Sequence, residues 1–161
     1  HRSRKHAGDK IMLDNLLFDL MRDEGAVRGP HNRHIIYDDH LGYRTLGYGR
    51  LMEPDMGGGL SENEAQFMLR SDIVRVMTEM DETWTWAADL SATQRRGLAN
   101  LLFNVGLPRL RKFVKMLDAL EKSAAGDAEA ANRAGSECLN SRYASQVGDR
   151  AKRIAELLRQ N

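Results

Sequence analysis

Cysteine is all but missing from this 161-residue chain: Cys138 stands alone. No internal disulfide can form, so the fold has to stand on packing. A charge of one sign is missing too. The 24 basic and 23 acidic residues leave a formal net charge of +1, which gives no electrostatic footprint for nucleic acid. The local basic excess near the end (Arg142, Arg150, Lys152, Arg153 and Arg159 against Asp149 and Glu156) reads as a solvated helix face. No apolar run approaches the ~18 residues of a membrane span, and no signal-peptide apolar core is present. The first residue is His1, not Met, as expected of a processed form or a piece of something longer.

What remains suits one domain, or one domain with two lobes. The chain is long enough to bury a core, and 42% of its residues are hydrophobic, a usual share for globular proteins. Residues 1–11 have no apolar period and read as a tail. Leu13, Leu16, Leu17, Leu20 and Met21 recur at helical spacing and predict a helix over 12–24, stopped by Gly25. Gly29-Pro30 breaks regular structure. Residues 35–51 suit short strands with a turn near "DHLG". Ser61-x-x-Glu64 is a capping box that opens a long helix to about Glu82, and Ser91-x-x-Gln94 opens an apolar one ended by Gly106 and Pro108. Three more helices are expected at 109–122, 127–139 and 149–160. The class is α+β, mostly α, with one small sheet confined to residues 35–60.

Two places carry chemistry. Glu24 follows Leu20 by 4 residues, Leu17 by 7 and Leu13 by 11, intervals that return to one helix face. A carboxyl in line with an apolar stripe, at the negative end of a helix, has its charged form disfavoured twice. Both effects push its pKa up, as a general acid at neutral pH requires. The competing reading is a frayed last turn with Glu24 in solvent. The second place is "YDDHLGYRTLGYGR", residues 37–50, which holds Asp38, Asp39, Thr45 and three glycines. A carboxylate at the polar turn of such a ribbon is hydrated and ionised. One protonated and one ionised carboxyl is the pairing that glycoside hydrolysis uses. The hydroxyl of Thr45 suits holding a water. The residues alone do not separate Asp38 from Asp39.

"DEG" after an apolar helix, followed by that ribbon, resembles the phage-type lysozymes, muramidases of glycoside hydrolase family 24. In that family a catalytic Glu ends the first helix, and Tyr-x-Asp leads into Gly-x-x-Thr-x-Gly-x-Gly. Tyr37-Asp38-Asp39 and Gly42 to Gly49 match in register, which selects Asp39 over Asp38. "LSENEAQFMLRSDI", "TQRRGLANLLFNVG" and "NSRYASQVGDRAKRI" are similar to three further segments of the family, in the same order, so the resemblance spans roughly residues 12–158. It implies a two-lobed lysozyme-like domain over 12–161. The small β-lobe would span about 25–60, the inter-lobe helix about 62–82, and the helical lobe about 85–161 with helix 12–24 added.

The resemblance implies a muramidase that cleaves the β-1,4 bond between N-acetylmuramic acid and N-acetylglucosamine in peptidoglycan, with inversion. Glu24 would be the acid, and Asp39 and Thr45 would position the water. Gly49, Leu51, Phe103, Asn104 and Ser141 would meet substrate, and Arg150 would hold Asp23 and Glu24, pairing mainly with Asp23. An Arg50–Asp72 ion pair would tie the sheet to the long helix. No cofactor and no metal is implied. The expected partner is the glycan strand, for a monomer that binds no nucleic acid and does not span a membrane. The expected setting is synthesis in the host bacterial cytoplasm with action on the wall, as an endolysin or a virion-associated lysin. One departure is a longer stretch around "GPHNRH", where His31, His34 and His40 are spaced too irregularly for a metal site. The alternative is a peptidoglycan-binding module of the same fold that has lost turnover.

Overall fold

A computed structural model describes the backbone of residues 2–161 and the side chains of residue 10 and residues 12–161. The chain divides into two compact units, His1–Ala65 and Gln66–Asn161. It is mostly helical, with one small antiparallel sheet in the first unit. The expected α+β class holds.

The first unit begins with helix α1, Arg2–Glu24. The helix expected over 12–24 therefore starts ten residues earlier, and the segment expected as a tail is helical from Arg2, with His1 outside the described residues. An apolar period reports burial rather than helicity. Arg, Lys and Ala, which make up half of residues 2–11, are good helix formers without any stripe. Gly25, at φ +66°, ends the helix in the left-handed conformation that favours glycine. Strands β1 (Tyr37–Asp38), β2 (Arg44–Leu46) and β3 (Arg50–Leu51) then form the sheet in the order β1-β2-β3. Tyr37 pairs with Thr45, Asp38 with Arg44, Thr45 with Leu51 and Leu46 with Arg50. A single 3₁₀ turn at Pro54–Met56 separates the sheet from helix α2, Glu62–Thr83. The predicted capping box is present. The Ser61 N–H donates to Glu64 Oε2 at 2.8 Å, and the Glu64 N–H donates to Ser61 Oγ at 3.3 Å.

The second unit holds the core. Its helices are the rest of α2, then α3 (Ala92–Val105), α4 (Leu107–Leu110), α5 (Val114–Ala124), α6 (Ala128–Leu139), α7 (Arg142–Val147) and α8 (Asp149–Arg159). Met80, Leu98, Leu101, Leu120, Cys138, Ile154 and Leu158 are fully buried together. Small residues set the helix spacing. A Cβ at Gly135 would lie 2.8 Å from the Ala155 carbonyl oxygen, and one at Gly97 would lie 3.0 Å from Leu157 Cβ. Burial pushes the Cys138 thiol up to about 11, so it packs as a small apolar group. The helix expected over 109–122 is instead two. Pro108 lies in the first turn of α4, and the chain leaves helical geometry at Phe113 before α5 starts. Asp81 and Arg95 form a two-bond ion pair at 2.9 Å for each bond, and Arg95 also donates to the Ala87 carbonyl at 2.6 Å.

Two polar side chains, Gln94 and Ser123, are buried in that core. Gln94 closes the second predicted capping box, and its Nε2 donates to Ser123 Oγ at 2.8 Å and to the Leu158 carbonyl at 3.1 Å. Removing the donor strands two buried acceptors. Gln94→Leu is therefore expected to lower unfolding free energy by about 1–3 kcal/mol, read from urea denaturation. An unchanged midpoint would contradict this account of the core.

Candidate active site

The polar ribbon is organised by one carboxylate. Asp39 Oδ1 accepts the backbone N–H of Leu41 and of Tyr43, each at 2.9 Å. Its main chain closes the same turn: the Asp39 N–H donates to the Tyr43 carbonyl and the Gly42 N–H donates to the Asp39 carbonyl, both at 2.9 Å. The Tyr43 N–H, followed by lesser contributions that include the Leu41 N–H, holds the Asp39 carboxyl below the usual carboxylate range. Asp39 is thus the ionised group expected at the turn. Asp38 lies within β1, paired with Arg44, and is exposed.

Thr45 is tied to the same residue, Tyr43. Its Oγ1 donates to the Tyr43 carbonyl at 3.1 Å, and the residue is only 4% exposed. With its proton committed, that oxygen can only accept a further hydrogen bond. Asp39 and Thr45 therefore flank Tyr43 as two acceptors of fixed orientation. Leu51 is the cross-strand neighbour of Thr45 and is half-buried.

Glu24 reaches this ribbon through Gly49. A Cβ placed on Gly49 would lie 3.0 Å from Glu24 Oε2 and 3.5 Å from its Cδ. Gly49 has φ +82°, a backbone that favours glycine, and a side chain there would crowd the Glu24 carboxyl. Of the two readings of Glu24, the structure shows the exposed one. Glu24 is exposed, because Leu13, Leu16, Leu17 and Leu20 on its face are themselves 46–59% exposed. Glu24, Asp39, Thr45, Gly49 and Leu51 thus come from one unit.

The remaining expected residues lie in the other unit. Phe103 is 45% exposed and lines an apolar cleft of about 640 Å³ with Leu69, Ile73 and Met77. Asn104 is exposed. Ser141 caps α7 by accepting the Ala144 N–H at 3.4 Å and donates to the Cys138 carbonyl at 2.6 Å. It also lines a cleft of about 730 Å³.

Each residue of the two expected ion pairs has a partner within its own unit. Arg50 pairs with Glu64, while Asp72 pairs with Arg75 at 3.2 Å. Asp72 is eight residues beyond Glu64 on α2, about 12 Å along the axis, and the cap already fixes Glu64 beside the ribbon. Asp23 accepts from its neighbour Arg22 at 2.8 Å. Arg150 donates to Asn100 Oδ1 at 2.9 and 3.1 Å. Adjacent or same-unit partners satisfy both groups. Sequence reasoning missed Asn100, for which no signal exists, and missed Tyr43 as the shared anchor. The short spacing between Asp39 and Tyr43 at a Gly turn could have suggested the latter. Among the described residues, no group of three or more His, Cys, Asp or Glu side chains could hold a metal, and no helix is long and apolar enough to cross a membrane.

A family model described as phage lysozyme matches residues 31–153. The chain belongs to that family. The matched span takes in Asp39, Thr45, Phe103, Asn104, Ser141 and Arg150, and begins after Glu24. Membership in the phage lysozyme family supports a role as a peptidoglycan hydrolase acting on the cell wall. No curated protein matches the chain significantly.

Two outcomes follow from the geometry. Gly49→Ala is expected to cost about 1–3 kcal/mol of stability and to turn the Glu24 side chain away from the ribbon in a crystal structure. An unmoved Glu24 would contradict the close approach. Because the folded-state pKa of Asp39 is depressed, its bonds stabilise the turn above the unfolded aspartate pKa and are lost as pH falls through the folded one. Carboxyl-carbon NMR should therefore give Asp39 a midpoint below that of an aspartate in the denatured chain.

Proposed function

We propose that this phage lysozyme family member is an inverting muramidase, and that the chain from about residue 12 works as one catalytic domain. It cleaves the β-1,4 bond between N-acetylmuramic acid and N-acetylglucosamine. Glu24 protonates the glycosidic oxygen as its bond to the anomeric carbon breaks. A water held by Asp39 and Thr45 attacks that carbon from the opposite face and gives its proton to Asp39. The observation that carries this reading is the Asp39 turn: an ionised carboxylate and a hydroxyl restricted to accepting, both fixed by the Tyr43 main chain. A water that donates one O–H to each has its lone pair free for attack. The approach of Gly49 to Glu24 supports the second half, since it brings the other carboxyl to the same ribbon.

In this reading Gly49, Leu51, Phe103, Asn104 and Ser141 contact the glycan strand, and Asp23 and Arg150 support the site. The protein works as a monomer with no cofactor, since carboxylates, a hydroxyl and water suffice. The setting is lysis of bacteria from within as an endolysin, or wall cleavage as part of a virion.

The test is clearing of purified peptidoglycan by the protein and by Glu24→Gln and Asp39→Asn. Loss of a positioned acid or base is expected to lower the rate by about 10²–10⁴-fold while each variant still co-sediments with the wall. Clearing by Glu24→Gln at the unaltered rate would remove Glu24 as the proton donor. Co-sedimentation without clearing by the unaltered protein would make it a binding module.

A further inference from the structure

The stretch between α1 and the sheet, residues 26–36, is closed on itself. Arg28 and His34 face each other in an isolated antiparallel bridge. The Gly29 N–H donates to the Arg33 carbonyl at 2.9 Å, and the Ile35 N–H donates to the Val27 carbonyl at 3.4 Å. At its tip, Pro30–Asn32, His31 and Asn32 have φ of +59° and +58°. Side chains other than glycine rarely adopt that backbone, histidine still less than asparagine. Such a tip persists only where its surroundings over-determine it.

What over-determines it is a contact with the ribbon. Arg28 Nη1 donates to the Asn32 carbonyl at 2.9 Å, which fixes the tip. The same guanidinium donates through Nη2 to Tyr48 Oη at 3.2 Å. His34 meets the Tyr48 ring edge-on, with centroids 5.0 Å apart, a favoured aromatic arrangement. The His34 Nδ1 is buried with no hydrogen-bond partner. Tyr48 is gripped by a hydrogen bond to its oxygen and by a ring at its edge. It is also the residue before Gly49, whose backbone lies against the Glu24 carboxylate.

We propose that the 26–36 loop is a brace, and that Arg28, His34 and Tyr48 are positioning residues that hold the 47–49 turn against Glu24. None of the three is asked to touch substrate. The inference rests on Glu24 being the proton donor. Fixing a proton donor should appear in turnover rather than in binding, because small misplacements of a reacting group are costly.

The experiment measures kcat and KM on purified peptidoglycan for Tyr48→Phe, Arg28→Met, Arg28→Lys and Glu24→Gln, with thermal midpoints alongside. Tyr48→Phe removes one oxygen and keeps the ring, so it carries the test should Arg28→Met fail to fold. The expected result is a fall in kcat of about 10- to 100-fold for Tyr48→Phe and Arg28→Met, with KM unchanged. Arg28→Lys keeps the cation and one of two bonds, so it should recover part of the loss. Tyr48→Phe should add nothing in a Glu24→Gln background. Full kcat in Tyr48→Phe beside an inactive Glu24→Gln would overturn the brace and leave the acid standing. A raised KM with intact kcat would make the loop a substrate contact and overturn it too. An active Glu24→Gln would remove the acid itself, and the brace with it.

Discussion

The candidate site depends on one interaction, the grip of the Asp39 carboxylate on the Leu41 and Tyr43 amides. A carboxylate that accepts two backbone N–H groups stays ionised and cannot rotate away. The same bonds shape the turn that starts β2, and β2 carries Thr45. The Tyr43 main chain serves both residues: its N–H bonds Asp39, and its carbonyl accepts from Thr45. Charge, hydroxyl orientation and strand register are thus fixed by a single turn, which leaves the ribbon little freedom to misplace a water.

Around that turn the small unit relies on local polar contacts more than on burial. Among the described residues outside α1 it buries Thr45. Glu53 accepts the Arg44 N–H at 3.0 Å, Glu64 joins the Ser61 cap to Arg50, and Arg28 joins the 26–36 loop to Tyr48. The second unit is the converse. Its helices close on an apolar interior with a single buried glutamine network, Gln94 to Ser123 and Leu158. Order in the candidate site of the first unit therefore comes from hydrogen-bond geometry, and stability in the second comes from packing.

Much of this was legible in the sequence, for identifiable reasons. Both capping boxes use a fixed three-residue spacing that backbone geometry dictates. The turn after Asp39 and the stop at Gly25 follow from residues that favour turns and left-handed backbone. The ribbon's match to the phage lysozymes separated Asp39 from Asp38, a choice its composition could not make. What was not legible concerns placement in space. Arg50 and Arg150 each have several possible carboxylate or amide partners, and their spacing in sequence does not single out the ones they meet in their own units, Glu64 and Asn100. For Glu24 the apolar stripe left burial and an exposed last turn both open, since a stripe says which face prefers cover and not that cover is complete. Residues 2–11 were passed over because a helix can form without an apolar stripe.

The account's central claim is that a water held by Asp39 and Thr45 attacks the anomeric carbon directly. The most direct measurement is the anomeric configuration of the first product, followed by proton NMR before mutarotation. Direct attack on a β-linked glycan predicts that the α-anomer appears first. The β-anomer appearing first would mean a covalent intermediate or a second displacement, and would contradict the role given to Asp39 and Thr45.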